Sequence, residues 1–221
     1  MRLSFLSCLL LTLAGRADAQ KHWHFGTSYT YGAAWNTHSS NANMLRPSDA
    51  SSIGFIVQLD NGDNALGFQA VLSHRWYDVR HRIEEGYYMD NALRAVELRL
   101  QCTLPVGKKS KLALGMAPRM VTRHHWSVVY INKSNGGQVE YDYALQQSGD
   151  INALNSTIVF SWLFEMHKHW HLHIHAEQDI QKTYAGDALF ENYDTQQEGE
   201  PALKLNALLT GLNGSLVFML N

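Results

Sequence analysis

Between Val96 and Leu104 apolar and polar residues alternate without a break: Val96, Leu98, Leu100, Cys102 and Leu104 stand against Glu97, Arg99, Gln101 and Thr103. A period of two places successive side chains on opposite faces of a strand, whereas a helix would spread both sets around its circumference. The pattern recurs at about 22–35, 51–59, 65–76, 111–124, 152–166, 170–180 and 207–220. With 92–104 these make eight strands. After the first twenty residues no stretch approaches 18 uninterrupted apolar positions, which excludes a helical membrane protein.

The connections sort by length. Short ones fall at 60–64, 105–110 and 167–169, and long polar ones at 36–50, 77–91, 125–151 and 181–206. Asp60-Asn61-Gly62-Asp63-Asn64 has tight-turn chemistry, because Asn and Gly tolerate the positive φ of hairpin turns. Short and long connections alternate strictly. In an up-and-down barrel that gathers the short turns and both termini at one end and the long loops at the other.

The first twenty residues are a secretory leader: Arg2 as a positive start, an apolar run Leu3–Leu13, and Ala17-Asp18-Ala19 as a small-x-small cleavage signal. Residues 1–19 are the expected signal peptide, cleaved after Ala19, and 20–221 one barrel domain. Losing Arg2, Arg16 and Asp18 from 18 basic and 20 acidic residues leaves 16 and 19. That balance has no basic block to attract nucleic acid. Cys102 is then the sole cysteine, so no internal disulfide forms.

Which face points inward separates a soluble, lipocalin-like barrel from a membrane-spanning one. Eight strands enclose room only for modest side chains. Trp23, Phe25, Tyr29, Tyr31, Phe68, Phe160, Trp162, Phe164 and Trp170 are too bulky to share that interior, while the opposite face is rich in Gly, Ala, Ser and Thr. The expected fold is therefore all-β, an eight-stranded antiparallel up-and-down transmembrane β-barrel. Trp35 and Trp76 toward the loops and Trp162 and Trp170 toward a turn suit interfacial aromatic girdles.

The leader, eight alternating segments and short-turn, long-loop rhythm resemble the small eight-stranded bacterial outer-membrane barrels of the OmpA transmembrane-domain, OmpX and OmpW type. The resemblance spans the mature chain and is architectural. It implies a bacterial outer-membrane location with periplasmic termini and extracellular long loops. Its implied partners are outer-membrane lipid and lipopolysaccharide, and a protein partner held by the loops. It leaves the oligomeric state open.

Chemistry-bearing residues concentrate in His167-Lys168-His169-Trp170-His171-Leu172-His173-Ile174-His175-Ala176-Glu177, where five histidines recur at a spacing of two and Glu177 and Asp179 continue their face. Residues two apart in a strand lie about 6.5–7 Å from each other. His171, His173, His175 and Glu177, with Glu165 on the paired strand, are thus candidates for zinc or copper. The alternative is that imidazoles fill a polar lumen together with Glu97, Arg99, Arg119 and Glu165, and no cofactor is then required.

Some small outer-membrane barrels deacylate lipid A with a His-x-Ser pair on one strand, which His125-Trp126-Ser127 matches, as does His38-Ser39-Ser40 in the first loop. Unbroken alternation puts His125 and Ser127 on the lumenal side, away from lipid. His74 falls on the lipid side beside Trp76 without an evident nucleophile. Tyr141, Tyr143, Tyr184 and Tyr193 stand among polar loop residues as recognition candidates. The expected role is non-enzymatic: structure, binding or complex assembly through long extracellular loops. The alternatives are an outer-leaflet lipid A deacylase and a lumenal metal-binding barrel.

Overall fold

The computed structural model describes residues 22–36, 48–60, 66–84, 87–131, 138–141, 146–151, 153–189 and 203–220. The expected leader, the His38-Ser39-Ser40 triplet, Tyr143 and Tyr193 lie outside them. Twelve strands follow in chain order: β1 His22–Asn36, β2 Ser48–Asp60, β3 Gly67–Glu84, β4 Tyr87–Gly107, β5 Ser110–Ile131, β6 Gln138–Tyr141, β7 Gln146–Ile151, β8 Leu154–His167, β9 Trp170–Asp179, β10 Tyr184–Leu189, β11 Leu203–Ala207 and β12 Leu209–Leu220. Eight close a ring in the order β1-β2-β3-β4-β5-β8-β9-β12, each antiparallel to its neighbours, with β12 returning to pair with β1. β6 hangs on β5, and β7, β10 and β11 form a separate three-stranded sheet.

The eight alternating segments are the barrel staves, and β8 and β9 meet at the short turn expected at 167–169. Three of the expected long loops are corrected, because they hold strand. β3 and β4 pair through the expected 77–91 loop up to Glu84 and Tyr87, β5 runs on to Ile131, and β10 and β11 occupy part of 181–206. Above a membrane both faces of a strand meet water, so these stretches carry polar residues on both parities and lose the alternation that marks a strand. The turn after β4 is also tighter than 105–110. Pro105 is still opposite Lys111, a register shift follows before Gly107, and Lys108-Lys109 make the bend.

Side chains sort by face as the interior volume demands. Trp23, Phe25, Tyr29, Tyr31, Ile53, Phe55, Leu114, Phe160, Trp162 and Leu212 are exposed on the outside, Phe55 to 70%. Ser28, Thr30, Ser52, Gln69, Arg75, Glu97, Gln101, Asn155 and Ser161 are buried within. An outward belt of large apolar and aromatic side chains around a polar interior is the arrangement of a transmembrane barrel. Along β4 the outward apolar residues run from Leu104 to Val96, about 27 Å of strand, which a tilt of roughly 40° reduces to a height near 20 Å.

Phe55 lies mid-way along the outward face of β2. Phe55→Arg is expected to destabilise the barrel by about 2–4 kcal/mol in lipid vesicles, the cost of a cation facing mid-bilayer. Urea titration of the refolded protein checks this; a water-facing site would show almost no change.

Candidate functional site

The candidate site is the lumen. β3 and β9 are diametrically opposite in the ring, yet Arg75 on β3 reaches Glu177 on β9, with Nη2 2.6 Å from Oε2 and Nη1 3.0 Å from Oε1. Arg75 Nη1 also donates to Glu97 on β4, at 3.1 and 3.3 Å. Arg99 Nη2 donates to both Glu97 and Glu177 at 3.1 Å. Two guanidinium groups and two carboxylates thus close a neutral four-residue cluster across the barrel axis, all four buried. Buried charge is tolerable only when paired and hydrogen-bonded, and here each carboxylate meets both arginines.

His175 is tied into this cluster. A guanidinium only donates, so Arg99 Nη1 at 3.0 Å makes His175 Nε2 an acceptor, and the ring proton sits on Nδ1, donating to Ser161 Oγ at 2.7 Å. Ser215 also donates to Nε2, at 2.8 Å, and Thr30 Oγ1 then donates to Ser215. Gln101 Nε2 completes the layer on Ser161 Oγ at 2.7 Å.

Toward the loops a second layer centres on Asp179. Its carboxylate accepts from Arg119 Nη2 at 2.7 Å, Thr157 Oγ1 at 2.9 Å, Thr183 Oγ1 at 2.7 Å, Asn155 Nδ2 at 3.1 Å and the Leu209 backbone N–H at 3.2 Å. Arg119 Nη1 donates to the Tyr77 hydroxyl at 2.6 Å. Arg75 and Arg119 both lie against the Tyr77 ring, 4.7 and 5.0 Å from its centroid, so one aromatic ring meets both cations. Ala34, Ala50, Leu93 and Leu209 pack with Tyr77 above.

On the turn side, Ile56, Val71, Val217 and Met219 form an apolar layer inside the barrel. Below it opens a cavity of about 200 Å³, lined in part by His24, Asp60, Lys111, Glu165, Lys168 and His171. Lys111 Nζ holds both Asp60 oxygens at 2.7 Å.

Of the expected histidine column, His173 and His175 are buried and His171 stands at this mouth. The five-residue column is corrected to three. The turn at Lys168-His169 breaks the alternation, so His167 is exposed and His169 turns its Nδ1 to the Met219 carbonyl at 3.0 Å. His171, His173 and His175 follow one another at ring separations of 6.2 and 6.0 Å. Both nitrogens of His175 and both oxygens of Glu177 are already bonded. Among the described residues no three His, Cys, Asp or Glu side chains gather closely enough to hold a metal ion. Glu97, Arg99 and Arg119 are inside as expected. Arg75 and Tyr77 are additions, although each continues the inward parity of Gln69 and Ser73.

His74 faces outward and meets Trp76 edge-on, with ring centroids 4.6 Å apart. A β-bulge interrupts the alternation from which the lumenal assignment of His125 and Ser127 was counted. Val121 pairs with Ala95 and Arg123 with Arg94, so Thr122 is an extra residue that displaces the alternation of β5 by one. Beyond it, His125 is opposite Ala92 and Ser127 opposite Asp90. The side chains of His125, Ser127, Tyr141 and Tyr184 lie outside the described residues.

No protein-family model matches the chain, and no curated protein matches it in sequence. Among solved structures it is similar to Neisserial surface protein A, at 9% identity and a TM-score of 0.46 over 90% of this chain and 98% of that one. It is similar to Ail, the attachment invasion locus protein of Yersinia pestis, at 8% identity and 0.41 over 88% and 98%. It is also similar to the outer membrane protein OprG from Pseudomonas aeruginosa, at 8% and 0.40 over 90% and 96%.

Glu177→Ala leaves Arg75 and Arg99 to share one carboxylate and is expected to cost about 3–5 kcal/mol, as for other broken buried ion pairs. Equilibrium unfolding in vesicles measures it.

Proposed function

We propose that this chain is a closed, non-enzymatic bacterial outer-membrane barrel that binds or assembles with partners through its extracellular strand extensions. The observation that carries this is the Arg75–Glu177 bridge across the barrel diameter, backed by the Asp179 layer above and the Ile56 layer below. A lumen crossed by three such layers favours a plug over a solute path. The investment in structure lies instead beyond the membrane. β4 and β5 have 21 and 22 residues where about 9–11 suffice to cross a bilayer. Strand-supported extensions of that length give the chain a rigid base for contact beyond the membrane.

In this reading residues 1–19 are removed on export, both termini are periplasmic, and the histidine column serves as lumenal filling without a transition metal. Added zinc or copper is expected to leave the melting temperature unchanged. Planar-bilayer recording of the purified protein is expected to show no steady conductance, and crosslinking of intact cells should capture a partner at the extensions. Steady ohmic channels would overturn the closed-barrel proposal.

One observation favours a second reading. The bulge at Thr122 removes the parity that set His125 and Ser127 on the lumenal side, so an outer-leaflet lipid A deacylase using them becomes compatible with the register. Lipid A mass spectra from cells with and without the gene separate the two. The binding barrel leaves acylation unchanged, whereas loss of one acyl chain, abolished by Ser127→Ala, selects the enzyme.

A further inference from the structure

The β4–β5 hairpin presents a ladder of outward cross-strand pairs. From the turn upward these are Leu104–Leu112, Cys102–Leu114, Leu100–Met116 and Val96–Met120, and then Arg94–Arg123. Both arginines are exposed. Like charges directly opposite on one sheet face repel each other, and neither guanidinium has a hydrogen bond or ion pair among the described residues. The nearby carboxylate of Asp78 on β3 stands opposite Ala92, one pair further up, and is itself partnered.

The pair exists because of the bulge. Arg119, four residues before Arg123, points into the lumen. With unbroken alternation Arg123 would do the same. Thr122 is the extra residue, its hydroxyl donating to the Arg94 carbonyl at 3.1 Å, and it turns Arg123 outward beside Arg94.

Height fixes what the pair meets. Ten residues separate Leu104 from Arg94, about 33 Å of strand and roughly 25 Å of height at the usual tilt, which equals the apolar band of such barrels. Trp76 is the register partner of Arg94 on β3, and such aromatics sit at headgroup level. Two outward arginines on one rung, without an ion pair among the described residues, therefore stand where lipid headgroups begin on the loop side. A planar guanidinium fork matches phosphate oxygens, and two forks side by side suit one phosphate monoester.

We propose that Arg94 and Arg123 form a clamp for a phosphate of the outer-leaflet glycolipid, the lipid A portion of lipopolysaccharide. A dissolved anion has no reason to collect at the rim of an apolar belt, whereas acyl chains deliver a lipid phosphate to that height. The clamp rests on the outer-membrane placement proposed above.

The test uses the mature chain in phosphatidylcholine nanodiscs that carry either bisphosphorylated lipid A or the same lipid A stripped of its phosphates. Lipid retained after mild detergent extraction is quantified by mass spectrometry. The wild-type chain is expected to keep the phosphorylated form at least about tenfold better. Arg94→Gln with Arg123→Gln should lose most of that preference while keeping the gel mobility of a folded barrel. Equal retention of the two lipids by the wild-type chain overturns the clamp without any variant, as does a preference the double variant keeps. Loss of the preference on adding millimolar inorganic phosphate also overturns it, by showing that a free anion suffices. Failure to insert into either nanodisc is a separate result and sinks the membrane placement itself.

Discussion

An eight-stranded ring is so narrow that an arginine from one wall touches a glutamate on the opposite wall, and the rest of the molecule follows from that. Arg75 and Glu177 span the diameter at 2.6 Å, so every inward position near them must be small or join the same network. Glu97, Arg99 and His175 join it; Ser161 and Ser215 are small and hold the His175 ring. Burying four charges costs much unless each is met by others. Removing one member is therefore more damaging than its share of the contacts suggests.

The same narrowness drives the large side chains outward. Trp23, Phe55, Phe160 and Trp162 have no place inside and cover the exterior instead, where only a hydrocarbon solvent makes their exposure favourable. Polar layers inside and an apolar sleeve outside are two results of one volume limit. The extensions of β3, β4 and β5 escape that limit. Above the belt the strands answer to water on both sides, and the chain is free to vary there while the staves below hold still.

Legibility in the sequence tracked how local each signal was. The Val96–Leu104 alternation, the outward aromatics and the inward His173 and His175 rest on a period of two and could be read directly. The stretch beyond Tyr77 could not, since strands wetted on both faces carry no such period. Pro105 misled in a different way: proline marks turns, but beside a register irregularity near the end of a hairpin it is tolerated in the strand. The central cluster was half visible. Glu97 and Arg99 were placed inside by parity, but the partnership of Arg75 with Glu177 links residues 102 positions apart and emerges only when the ring closes. Thr122 gave no sign of being an extra residue, so the parity counted for His125 and Ser127 did not include the shift in register there.

That extra residue gives the protein an economical route to diversification. Below Thr122 the alternation of β5 is bound to a packed lumen, where a one-residue insertion or deletion would exchange inside for outside. Above it the chain has already changed phase. Selection at the cell surface can therefore act on the upper half of β5 without disturbing the charge cluster beneath.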